Sequence, residues 1–187
     1  MKSAQASQSR GFTLIELLVT IAVLTILIVL ATPSFFDAID RRRVVDATEA
    51  IGKQVQQARM TAIETSRPIT MVFDTGDPWC FGLTDAATCE CNTADSCRIP
   101  FAVGTDLAPT DYEEVAGRAG QFAGIELTDA PASLRFDPRR GVRDLPATPV
   151  ESIVVTSARG SQARVMINII GRVSTCSDDI PGMKPCP

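Results

Sequence analysis

Histidine is absent from the 187 residues, which excludes the Ser-His-Asp and Cys-His arrangements in which an imidazole activates a nucleophile. A GxxxxGK phosphate loop is also missing, so no P-loop nucleotide site is available. Neither an internal repeat nor a low-complexity linker interrupts the chain. No acidic residue precedes Gly11 and no cysteine precedes Cys80. Paired carboxylates are the one catalytic option left, and Asp111, Glu113 and Glu114 read as a solvated loop instead. The sequence is therefore read as non-enzymatic, with no metal and no cofactor, which leaves a structural or binding role.

What is present is unevenly placed. Hydrophobic residues make up 45% of the chain, and between residues 12 and 31 only Thr13, Glu16, Thr20 and Thr25 are polar. As a helix this run is about 30 Å long, the thickness of a bilayer's hydrocarbon core. Beyond it there is room for one domain of ordinary size. Lys2 and Arg10 ahead of the run resemble the basic head of a secretory signal, with Ala31-Thr32-Pro33-Ser34 as its cut site. The run is longer than a usual signal core, however, and Pro33 is awkward at a cut. Arg41, Arg42 and Arg43 follow the span, so positive charge does not set its orientation.

Cysteine does. Cys80, Cys89, Cys91, Cys97, Cys176 and Cys186 all lie after the span, and an even set of this kind fits disulfides in an oxidising compartment. The rival is zinc on the thiolates of Cys80, Cys89, Cys91 and Cys97. Cys89-Glu90-Cys91 leaves one residue between ligands where structural sites usually have two to four. Short loop closure, and the poor sterics of a bridge within Cys-x-Cys, favour Cys80–Cys89, Cys91–Cys97 and Cys176–Cys186.

Past Pro33, expected to kink the helix without ending it, Val44, Ala47, Ile51, Val55, Ala58 and Ala62 recur at helical spacing. The other faces carry charge, so residues 34–66 form an amphipathic half, stopped by Pro68. Residues 69–73 and 79–83 read as a hairpin around the turn at 74–78. Residues 84–98 are nearly devoid of apolar side chains and read as a loop stapled by cysteines. Further strands are expected at 124–127, 133–136, 152–156 and 163–170, with turns at 137–141 and 158–161. The fold class is α+β: a long N-terminal helix packed on antiparallel β-structure.

Gly11-Phe12-Thr13-Leu14-Ile15-Glu16 after a short basic leader, followed by the apolar helix and Pro33, resembles the N-terminus of type IV pilins and pseudopilins. WCFGL, a cysteine-bearing loop, FDPRRG and a final strand closing on Gly171-Arg172-Val173 resemble the GspH/FimT branch, the minor pilins and minor pseudopilins of type IV pili and type II secretion systems. The resemblance implies cleavage by a prepilin peptidase between Gly11 and Phe12, N-methylation of Phe12, and a helix that is retained. It divides the chain into a leader at 1–11, a transmembrane part at 12–33, an amphipathic part at 34–66 and a β-rich periplasmic domain at 67–187. It further implies a single-pass inner-membrane protein that is extracted into a filament beside the major subunit and other minor pilins or pseudopilins. Glu16 would then meet the positive amino terminus of a neighbouring subunit, because either charge buried alone is costly. The polar tail after Val173 and the stapled loop suggest few copies at a filament tip, held to a different minor subunit through the 44–62 helix face and the span.

Charge adds a second reading. Residues 74–129 hold eleven acids against Arg98 and Arg118, whereas residues 135–172 hold seven arginines against three acids. Arg139, Arg140, Arg143 and Arg172 could face DNA. Some members of the branch bind DNA through a C-terminal Gly-Arg-x-Arg; here Gly171-Arg172-Val173 is followed by Ser174, and the net charge is −4.

Overall fold

One helix, α1 (Leu14–Thr65), carries both kinds of sequence seen at the N-terminal end. The structure, a computed structural model, describes residues 12–102, 104, 106–139, 141 and 150–187, without the side chain of Pro33. Two units divide it, Met1–Ala38 and Ile39–Pro187. The leader expected at 1–11 lies outside the described residues.

In the first unit the large apolar side chains from Phe12 to Phe36 are 48–82% exposed. The threonine hydroxyls do not compete with water there. Thr20, Thr25 and Thr32 donate to the carbonyls of Leu17, Ile21 and Ile28, one turn back, which satisfies them inside the helix. α1 continues through Pro33.

In the second unit the stripe is fully covered: Val44, Ala47, Ile51, Val55, Ala58 and Ala62 are each 0% exposed. Two four-stranded antiparallel sheets supply the other side of this core. The first is ordered β5-β2-β1-β7, from β1 (Ile69–Asp74), β2 (Cys80–Thr84), β5 (Ala116–Arg118) and β7 (Ser133–Phe136). Met71 of β1 stands opposite Leu83 and Leu134. The second is ordered β10-β9-β8-β6, from β6 (Ile125–Asp129), β8 (Val150–Ser157), β9 (Gln162–Asn168) and β10 (Val173–Cys176). Ile153 of β8 faces Val165, and Val155 faces Leu127. Gly52 brings α1 close to this sheet, since a Cβ there would lie 3.5 Å from Val173.

Two contacts tie the unit together. Trp79 is buried, stacks on Phe81 and Phe122, and donates its indole N–H to the Ile125 carbonyl at 2.7 Å, so it joins the first sheet to the second. Asp40, also buried, accepts a hydrogen bond from Ser157 at 2.5 Å and so fastens α1 to the end of β8.

The cysteine loop does not pair as expected. The bridges are Cys80–Cys91, Cys89–Cys97 and Cys176–Cys186, so only the third expectation holds. The reason lies on the outer face of the first sheet, where Val72, Cys80, Cys91 and Cys97 form a small core of their own. Gly82 makes space for it, because a Cβ there would lie 2.4 Å from Cys97 Sγ. Closing loops of 11 and 8 residues instead of the expected shorter ones costs only about 0.4 kcal/mol of chain entropy. Packing easily overrides that. Cutting the unreduced protein after Glu90, between Cys80 and Cys89 and between Cys91 and Cys97, and mapping its peptides is expected to join Cys80 to Cys91 and Cys89 to Cys97. A Cys80–Cys89 peptide would contradict the fold of this loop.

Candidate functional site

Glu16 sits in the first turn of α1, four residues from Phe12, and both are exposed. Its backbone N–H donates to Thr13 Oγ1 at 3.3 Å. Thr13 thus caps the helix, and Thr-Leu-Ile-Glu has the spacing of a capping box. A carboxylate here is also favoured by the helix dipole. These local roles explain the residue's tolerance in the turn. The capping role does not require a charge, since glutamine serves the same position in capping boxes.

The arginines are only partly brought together. Arg139 is exposed, and its backbone N–H donates to Asp137 Oδ1; Arg140 and Arg143 lie outside the described residues. Strand β9 ends at Asn168, not at residue 170 as expected. Residues 169–172 make a turn instead, because Gly171 adopts φ +72° and Asn168 accepts the backbone N–H groups of Gly171 and Arg172. That turn lies against the last turns of α1, and Arg172 and Arg59 line one cleft with Met60 and Ile170. Arg59 was not singled out by the sequence, since nothing in its spacing along α1 distinguishes it.

Asp111, Glu113 and Glu114 are not a plain solvated loop. Asp111 closes a short 3₁₀ turn and accepts the Ala108 N–H. The two glutamates belong to β4 (Tyr112–Glu114), which pairs with β3 (Arg98–Pro100) in a separate ribbon. Glu114 is ion-paired with Arg118, whose hydrogen bond holds its carboxyl below the usual glutamate value. Arg67, just past α1, reaches Asp85, the Tyr112 hydroxyl and the Gly104 carbonyl. Loss of solvent, then the hydrogen bond to Asp85, raises the Tyr112 pKa. These polar groups hold the ribbon on the domain.

The six cysteines are all in disulfides, so the zinc alternative has no thiolates to draw on. Among the described residues no group of histidine, cysteine or carboxylate side chains forms a metal site.

Comparison with known proteins narrows what this architecture is. Residues 6–32 match the prokaryotic N-terminal methylation motif. Residues 47–171, well over half the chain, match the family described as Type II transport protein GspH. The chain belongs to the GspH family. It is thus a type IV pilin-like protein of the GspH/FimT branch, with the α+β architecture expected from its sequence. Two crystal forms of the Pseudomonas aeruginosa PAO1 type IV minor pilin FimU are similar in structure, each with a TM-score of 0.44. Identity is 16% and 15%, over 72% and 74% of this chain and 89% and 97% of the other. No curated protein matches the chain significantly.

Proposed function

We propose that this GspH-family protein is a minor pilin or minor pseudopilin that initiates or caps a type IV pilus or a type II secretion pseudopilus, and so acts in filament assembly and protein secretion. It has no catalysis of its own. The observation that carries this reading is the division of α1: the large apolar side chains from Phe12 to Phe36 are exposed, whereas the 44–62 stripe is wholly buried. A helix of that kind needs lipid, or neighbouring helices, around its first half. A prepilin peptidase cuts between Gly11 and Phe12 and Phe12 is methylated. The mature chain stays in the inner membrane, with its disulfide-bearing domain in the periplasm, until it is drawn into the filament.

Inside the filament Glu16 pairs with the amino terminus of a neighbouring subunit, the major subunit or another minor one, and thereby sets axial register. The contact expected through the 44–62 face needs correcting, because the chain's own sheets already cover that face. The tail is also less separate than expected: Ile180 is buried in the core. Few copies at the tip remain the reading, resting on the stapled loop. Quantitative mass spectrometry of sheared filaments is expected to find the chain far below the dominant subunit; equal abundance would remove the tip placement.

The alternative, a DNA-binding minor pilin for natural transformation, draws on Arg59 and Arg172 sharing one cleft. The apolar floor of that cleft offers nothing to a phosphate backbone. Retardation of duplex DNA by the protein, weakened by salt and by Arg172→Ala, would favour this alternative. Absence of retardation in low salt would remove it.

A further inference from the structure

Six large apolar side chains of the Ile39–Pro187 unit are exposed: Met60, Ile63, Phe101, Val150, Ile169 and Ile170. Five of them gather around the β9–β10 turn. Met60 and Ile170 line the cleft of about 390 Å³ that holds Arg59 and Arg172. Ile63 adjoins it, since its Cδ1 lies 2.7 Å from where a Cβ on Gly141 would stand, and the Gly141 carbonyl touches both Gly171 and Arg59. Val150 lines a second cleft of about 270 Å³, which shares Arg172 and adds Lys184. Among the described residues no aspartate or glutamate lines either cleft. Arg59, Arg172 and Lys184 form no ion pair with a described residue.

Exposed apolar side chains beside cations are unusual for a solvated sheet edge, where alternation normally puts polar side chains outward. It complements a surface that is apolar and acidic. This chain has one. Phe101, the sixth exposed apolar residue, is 61% exposed and lies where β3 leaves its ribbon, its N–H bonded to the Asp111 carbonyl. Asp106 and Glu113 are exposed in the same segment. The surrounding residues 74–129 carry eleven acids against two cations, Arg98 of β3 and Arg118, which is paired with Glu114.

We infer that the β9–β10 surface seats the acidic β3–β4 ribbon of a second copy of this chain, with Phe101 of one copy set between Met60 and Ile170 of the next. The two surfaces differ, so the contact is heterologous and joins copies head to tail. The inference rests on the pilin reading for its place in the cell, but the contact itself requires no filament.

The test uses the full chain in detergent micelles, with Phe101 replaced by the photoreactive aromatic p-benzoylphenylalanine. Irradiation is expected to give dimers and a ladder of higher species, with the attachment mapped to Met60, Ile170 or their immediate neighbours. Arg172→Glu in the receiving copy should lower the dimer yield about tenfold, one charge reversal at a contact rim. Glu113→Arg in the photoreactive copy should restore most of it. Attachment of Phe101 to the ribbon of the other copy, no dimer at all, or a yield indifferent to Arg172→Glu would overturn the inference. So would cross-linking in cells that joins this position only to a different pilin. Failure of the pilin reading would show separately, as absence of the chain from sheared filaments while the micelle cross-link persists.

Discussion

Glu16→Gln is expected to be cut and methylated normally, yet to enter filaments about a hundredfold less efficiently than the native protein. The magnitude follows from leaving a neighbour's amino terminus without its partner in hydrocarbon, a loss of about 2.5–3.5 kcal/mol. Glutamine is the informative replacement because it separates two roles. Thr13 Oγ1 accepts the backbone N–H of residue 16, and glutamine preserves that capping arrangement while removing the charge. Quantifying the variant in sheared filaments, against its level in the membrane, reads the effect. Normal incorporation would mean that Glu16 serves only its own helix.

Trp79→Ala should be the most damaging single change to the folded domain, lowering stability by about 3–5 kcal/mol. The indole joins the two sheets through its stacking on Phe81 and Phe122 and its hydrogen bond to Ile125. Alanine removes the stack and leaves the Ile125 carbonyl without that donor. Trp79→Phe keeps most of the stack and should cost less, about 1–3 kcal/mol for the unsatisfied carbonyl. Urea unfolding followed by circular dichroism is the suitable probe, because Trp79 is the chain's one tryptophan and the variants lose its fluorescence. A shift in midpoint smaller for alanine than for phenylalanine would show that the two sheets are not held together here.

Periodic and chemically distinctive features were legible in the sequence. The helical stripe from Val44 to Ala62 needed only its spacing, and all six positions are buried. The hairpin of β1 and β2, and the strands β6 to β9, declared themselves through alternation between clear turns. The strands β3, β4 and β5 did not, since each is three residues long and too short for a period to show. β3 and β4 exist because their ribbon is pinned from outside, by Arg67 on Asp85 and Tyr112 and by Arg118 on Glu114, and β5 because it pairs with β2 at the edge of the first sheet. The disulfide pairing was hidden for a related reason. It depends on Gly82 leaving space on a sheet face, a three-dimensional fact that loop length does not contain. β9 looked longer than it is because Ile169 and Ile170 continue the apolar pattern, although Gly171 turns the chain there.

At the candidate site the same division applies. Glu16 stands out as the one carboxylate in an apolar run, and Gly11-Phe12 marks the expected cut beside it. Arg59 and the apolar side chains around the β9–β10 turn come from segments more than a hundred residues apart, and only folding places them together.

The intact mass of the protein recovered from purified filaments tests the central claim most directly. The account predicts a chain that begins at Phe12, carries one added methyl group and holds three disulfides. A chain beginning near Thr32 would mean that the apolar run is a discarded signal, and an intact Met1 would mean that it is an uncut anchor. Either result would contradict the reading of this protein as a processed subunit whose helix is built into a filament.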